Sequence, residues 1–245
     1  HVTGVQTCAL PISVVRKAFL TNHILGRSPF NYTDMTVLGI IGDEVMALAV
    51  RADSPIRSVK DLLERLKADP QSVSVSLGSA RGSTPHFTYA LVAKSAGIDP
   101  RKLKVVTFGG AAESVTNLLG GHIDMTAGSV DNMIPHLRSG AVRVLGISGA
   151  QRSVSLPEVP TLKEQGIDVV QGGWLAVMAP KGLSDAQVAY WESMLERGIA
   201  HADWKHLLEA DALEPMFLKG QAARDYLKKD YELSRTLLGE VGMVK

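Results

Sequence analysis

Nine consecutive residues, Gly78-Ser79-Ala80-Arg81-Gly82-Ser83-Thr84-Pro85-His86, bring together glycines, three hydroxyls, a guanidinium and an imidazole. Glycine lets backbone N–H groups approach a ligand closely, and a helix that starts at such a loop adds unpaired donors. That combination suits an anion. A carboxylate seated there gains roughly 0.3–1 kcal/mol from the helix dipole and about 1.5–3 kcal/mol from each hydrogen bond to its charge. Gly109-Gly110-Ala111 and Gly128-Ser129 offer further free N–H groups, and Trp174, flanked by Gly172 and Gly173, offers a ring to wall a pocket. Each feature also has a plainer reading. Ser83 or Thr84 can simply cap a helix, Arg81 can be a solvated surface cation, and His86 and Trp174 can be packed side chains.

These loops need elements to hold them. Asp43 to Arg51 is an apolar run suited to a buried strand, and Asp53-Ser54-Pro55 turns the chain. Ser58 with Asp61 three residues on predicts a capped helix that Asp69-Pro70 ends. The chain then runs strand, glycine loop, helix three times. The strands are 73–77, 104–108 and 122–127, and the helices are 86–96, 111–119 and 132–139, with a further strand at 142–148. Such alternation predicts a mostly parallel sheet with helices on both faces and the three glycine loops along one edge, where ligands bind. Beyond Leu156-Pro157-Glu158-Val159-Pro160, a short helix at 162–165 and the apolar stretch 174–180 precede helices at 184–195, 204–212 and 221–238, with Phe217 in a short strand.

Composition excludes several classes. Lys plus Arg number 26 against 25 Asp plus Glu, with no basic and aromatic cluster, so nucleic acid is not an expected partner. No apolar run reaches the ~20 residues that span a bilayer. A lone Cys8 forms no internal disulfide. The sequence lacks G-x-S-x-G, a Gly-Lys-Ser/Thr P-loop and G-x-G-x-x-G, and its histidines lack H-E-x-x-H spacing. We therefore expect no catalytic residues, no metal ligands and no cofactor.

An ordered series resembles the tripartite tricarboxylate transporter receptors, the Bug-type periplasmic solute-binding proteins, from about residue 14 to the end. It comprises Ser58-Val59-Lys60-Asp61-Leu62, Gly78-Ser79-Ala80, Gly82-Ser83-Thr84-Pro85-His86, Phe108-Gly109-Gly110-Ala111, Leu118-Leu119-Gly120-Gly121, Val159-Pro160-Thr161-Leu162, Trp174 and Ala179-Pro180. The resemblance implies an α/β type II periplasmic-binding fold, two lobes joined by crossing strands with an organic carboxylate between them. It implies lobe 1 at 13–51 plus 172–245 and lobe 2 at 52–171. It carries ligand contacts onto Gly78, Ser79, Gly82, Ser83, Thr84, His86, Gly109, Gly110, Ala111, Gly128 and Ser129, and onto Thr21 and Asn22 near the start. Arg81 stands where a small residue is usual, which would favour a more highly charged ligand.

The implied partners are a small organic carboxylate and the membrane components of the transporter, the implied location is the periplasm, and a monomer is expected. Residues 1–12 lack a basic segment followed by an apolar core, so they are read as a non-native leader rather than a signal peptide, with the first strand and anion loop of lobe 1 missing. Two other readings stay open: a sensory ligand-binding domain, and an enzyme on the same architecture.

Overall fold

The computed structural model describes residues 12–244. Its strands are β1 (Ser13–Arg16), β2 (Met35–Arg51), β3 (Ser74–Leu77), β4 (Lys104–Thr107), β5 (Met125–Ser129), β6 (Val142–Ile147), β7 (Gly172–Pro180) and β8 (Leu213–Glu214). Its α-helices are α1 (Ala18–Ile24), α2 (Val59–Ala68), α3 (Thr84–Ser95), α4 (Ala111–Leu119), α5 (Ile134–Arg138), α6 (Asp185–Ile199), α7 (Ala202–Ala210) and α8 (Gly220–Glu240).

The 17-residue β2 organises everything else. Its first part pairs with β7, and Asp43 and Glu44 also pair with β8; its last part, from Met46, pairs with β5 and β6. Two breaks in the β7 register and one in the β6 register bend the strand along the way. Its side chains therefore enter four buried clusters, two along each part of the strand. Val37 and Ile40 pack with Leu20, Trp174, Met178 and Leu227, whereas Leu48 and Val50 pack with Leu62, Leu77, Tyr89, Met125 and Leu145. Every residue from Ala47 to Val50 is fully buried, which explains an unbroken apolar run where a one-faced strand would alternate.

Among the described strands parallel ladders join β3 with β4 and β3 with β5, and the pairings of β2 with β5, β6, β7 and β8 and of β1 with β7 are antiparallel. The sheet is thus mixed rather than mostly parallel. Alternating strands and helices give parallel pairing only where the strands joined through a helix become neighbours, and β2, although it leads through α2 toward β3, pairs instead with β5 and β6. Because β3, β4 and β5 are parallel, their carboxyl ends do share one edge.

Local chemistry sets the helices. Ser58 Oγ accepts from Asp61 N–H at 3.1 Å and Asp61 Oδ2 accepts from Ser58 N–H at 3.1 Å, the reciprocal cap expected from the sequence. Ser184 and Gln187 repeat it at α6. Several expected boundaries move. The strand expected at 122–127 lies at 125–129, Phe217 lies just before a single bridge between Leu218 and Ile40, and residues 163–165 form a 3₁₀ turn. The segment set apart as a leader falls outside the described residues up to residue 11, while Ile12 packs beside Leu175 and Val177.

Candidate functional site

A cavity of about 270 Å³ opens at the carboxyl edge of β3 and β5, where it meets β1 and the middle of β2. On the β3 side it is lined by Gly78, Ser79, Ser83, Thr84 and Pro85, then by Ala111 and Ser114 of α4. Thr126, Ala127, Gly128 and Ser129 of β5, with Asn132 and Met133 beyond it, form the next wall. Arg16, Lys17, Ala18 and Thr21 face them, with Glu44 and Met46 of β2 and Gly173 of β7.

The loop from 78 to 86 is held from within. Gly82 takes φ of +84°, a conformation L side chains avoid, and its N–H donates to His86 Nδ1 at 2.9 Å. His86 is buried, and burial first, then the nearby Arg81 charge, pull its pKa down to about 4. The ring is therefore a neutral acceptor that fixes the loop and lies off the cavity wall. Ser79 Oγ donates to Ser83 Oγ at 2.8 Å, and the Ser83 side chain makes no capping bond to α3. The capping alternative thus fails for Ser83; in the first turn of α3 Pro85 has no N–H and the Phe87 N–H returns to the Ser83 carbonyl at 3.0 Å, so Thr84, with its hydroxyl and N–H, is the part of that turn left to serve the cavity. A Cβ on Gly78 would come within 2.5 Å of Ala111 Cα and 2.7 Å of Ala111 N, so glycine is what lets the β3 and β4 loops touch. Beneath them, Ser114 Oγ donates to Ser76 Oγ at 2.6 Å and lies 3.1 Å from Thr126 Oγ1, a buried hydroxyl cluster whose members satisfy one another.

The opposite wall carries charge. Lys17, only 2% exposed, places Nζ 2.6 Å from Asp230 Oδ1 and 5.7 Å from the centre of the Phe87 ring. Trp174 Nε1 donates to Asp230 Oδ2 at 2.8 Å. Beside this cluster the Asp43 carboxyl rises to about 6, chiefly through burial, against the pull of Lys17 and with Asp230, Glu44 and Glu214 adding to the rise. Glu44 accepts from Ser129 Oγ at 2.6 Å and lies 3.5 Å from Arg16 Nη1.

Of the residues singled out from the sequence, Thr21, Gly78, Ser79, Ser83, Thr84, Ala111, Gly128 and Ser129 meet around this cavity. Asn22, Gly82, His86, Gly109 and Gly110 do not line it. Gly109 N–H instead donates to Glu113 Oε2 at 2.9 Å. Arg81 Nη2 donates to the Val105 carbonyl at 2.9 Å, outside the cavity, and so takes its surface alternative. Trp174 is fully buried and takes its core alternative. Gly128 and Ser129, expected in a loop, end β5 and pair with Ala47 and Met46 because β2 extends that ladder. Sequence reasoning missed Arg16, Lys17, Glu44, Met46, Ser114 and Thr126. The visible signal was two adjacent acids, Asp43 and Glu44, at the head of an otherwise apolar run.

Among the described residues no group of three or more His, Cys, Asp or Glu side chains could hold a metal ion, and no helix is long and apolar enough to cross a membrane. The model of the tripartite tricarboxylate transporter family receptor matches residues 10–243. The chain belongs to that receptor family. BugT of Bordetella pertussis, a family relative, is 26% identical over 213 residues, covering 85% of this chain and 63% of its own. The chain spans about three fifths of the length of the first curated relatives it matches. Among solved structures, a TctC solute-binding protein from Polaromonas superposes with a TM-score of 0.80 at 24% identity, covering 94% of this chain and 77% of that one. A Rhodopseudomonas palustris protein solved with adipate superposes at 0.78 and 21% identity, with coverage of 94% and 77%. This receptor family's periplasmic-binding architecture is thus the fold of the chain.

Proposed function

We propose that the chain is the ligand-binding part of an extracytoplasmic solute receptor that takes a small di- or tricarboxylate into the cavity between its two lobes, for delivery to the membrane components of a tripartite tricarboxylate transporter. The observation that carries this reading is the uncapped start of α3, where Ser79, Ser83 and Thr84 face the cavity beside the start of α4. Donors fixed before the ligand arrives cost little ordering on binding. The adipate carried by the R. palustris relative supports a carboxylate, and membership of a receptor family supports binding rather than catalysis. Residues 13–51 with 172–245 would form one lobe and 52–171 the other, with β2 crossing between them. Closure of the lobes on the ligand would report occupancy to the membrane partners.

A thermal-shift series at fixed protein concentration tests the reading with adipate, malate, citrate and a monocarboxylate. A ligand at one hundred times its Kd adds about 2.7 kcal/mol to stability and raises the midpoint. Thr84→Ala should reduce the rise. The absence of any shift with all four acids overturns the proposal.

A further inference from the structure

The cavity proposed to take an anion contains an anion of its own. Glu44 Oε1 is engaged by the Ser129 hydroxyl, while Oε2 has, among the described residues, only Arg16 Nη1 at 3.5 Å, from a side chain 57% exposed and therefore well screened by solvent. A Cβ built on Gly173 would lie 3.0 Å from Glu44 Oε2 and 3.5 Å from Thr84 Oγ1. This weakly paired oxygen of Glu44 and the first hydroxyl of α3 therefore flank the same glycine with no side chain of residue 173 between them. An acid bound at the start of α3 brings its charge close to Glu44. A ligand with only carboxylates meets repulsion there at short range, whereas one with an adjacent ammonium places a charged donor on Oε2.

Resting on the carboxylate-receptor reading, we infer that Glu44 selects carboxylates that also carry a cationic amino group. The start of α3 takes the carboxylate, and Glu44 Oε2 takes the ammonium. Neutral hydroxyl donors at the same carbon gain less, because a neutral hydrogen bond is worth about half a charged one.

Succinate, malate and aspartate share one four-carbon diacid skeleton and differ by hydrogen, hydroxyl or ammonium at one carbon. Titration calorimetry of the 245-residue chain should give aspartate binding about tenfold tighter than succinate, with malate between them. Glu44→Gln keeps an acceptor for Ser129 and should erase the preference for aspartate while tightening succinate. Succinate binding as tightly as aspartate in the unaltered chain overturns the inference and leaves the receptor reading standing. An unchanged preference in Glu44→Gln also overturns it. Failure of all three acids, and of adipate and citrate, to bind overturns both readings. If Glu44→Gln does not fold, the comparison within the unaltered chain decides the matter alone.

Discussion

On one side of the cavity, the loop from Gly78 to His86 presents backbone amides and small hydroxyls and keeps its one buried ionisable group, His86, neutral. On the other side, the end of β1 and the middle of β2 present Arg16, Lys17 and Glu44, all drawn into ion pairs, with Asp43 next to Glu44 but off the cavity wall. The first wall is assembled by neighbours in sequence and is held by short-range contacts such as Gly82 to His86. The second is assembled by residues far apart, with Lys17 meeting Asp230 of α8. A polar wall of the first kind tolerates the loss of any one donor. In a charged wall of the second kind the cost depends on burial, since the buried Lys17 ammonium relies on the distant Asp230 while the exposed Arg16 is screened by solvent.

The sharpest break in that comparison is Asp230→Ala. It leaves the Lys17 ammonium buried and unpaired and removes the acceptor for Trp174 Nε1, so we expect a loss of about 3–5 kcal/mol in urea unfolding. Arg16→Ala, which opens only the exposed pair with Glu44, should cost less than about 1 kcal/mol.

Next in size is an opposed pH dependence. Asp43 titrates higher in the fold than in the unfolded chain, so the fold holds its proton longer and stability falls as pH rises from about 3.8 to about 6. His86 titrates lower in the fold, so stability rises with pH from about 4 to about 6.5. The two slopes partly cancel in the unaltered chain. Asp43→Asn should therefore stabilise the protein by roughly 2–3 kcal/mol at pH 7 and expose the His86 slope as a steep loss toward pH 4. Urea midpoints between pH 4 and 7 check both signs, and a difference between variant and parent that does not change with pH defeats the assignment.

The smallest effect tests the amide wall. Gly78→Ala forces a Cβ into the backbone at Ala111 and should cost about 1–3 kcal/mol, whereas Gly110→Ala has open space and extended backbone at φ of −174° and should change stability by no more than about 0.5 kcal/mol. Equal effects of the two substitutions on thermal midpoints would show that the loops are not in the contact described.

The same division between near and far explains what the sequence made legible. The Ser58 cap, the glycine loops after β3 and β4, and the helices they start were readable because their signals lie within a few residues. The ordered motifs carried the family and its fold. β1, α1 and the first half of β2 were not assigned, since Ser13–Arg16 and Ala18–Ile24 are short and carry no turn or cap signal of their own. Lys17 and Glu44 could not be placed in the cavity for a different reason. Their positions depend on α8 and β5, and no local pattern records that pairing. His86 and Trp174 were recognised as notable, yet their types could not say that one would brace a loop and the other fill a core.

The long β2 strand also bears on how the protein must be made. It leaves the ribosome with its apolar stretch complete, ahead of its partners β5, β6, β7 and β8. Until those segments are synthesised, a β-rich, largely uncharged strand has nothing to pair with, which is the state in which nascent chains aggregate. A protein built around one shared strand therefore places its greatest demand on chaperones in the interval before β5 to β8 are synthesised, when there is not yet a cavity to bind anything.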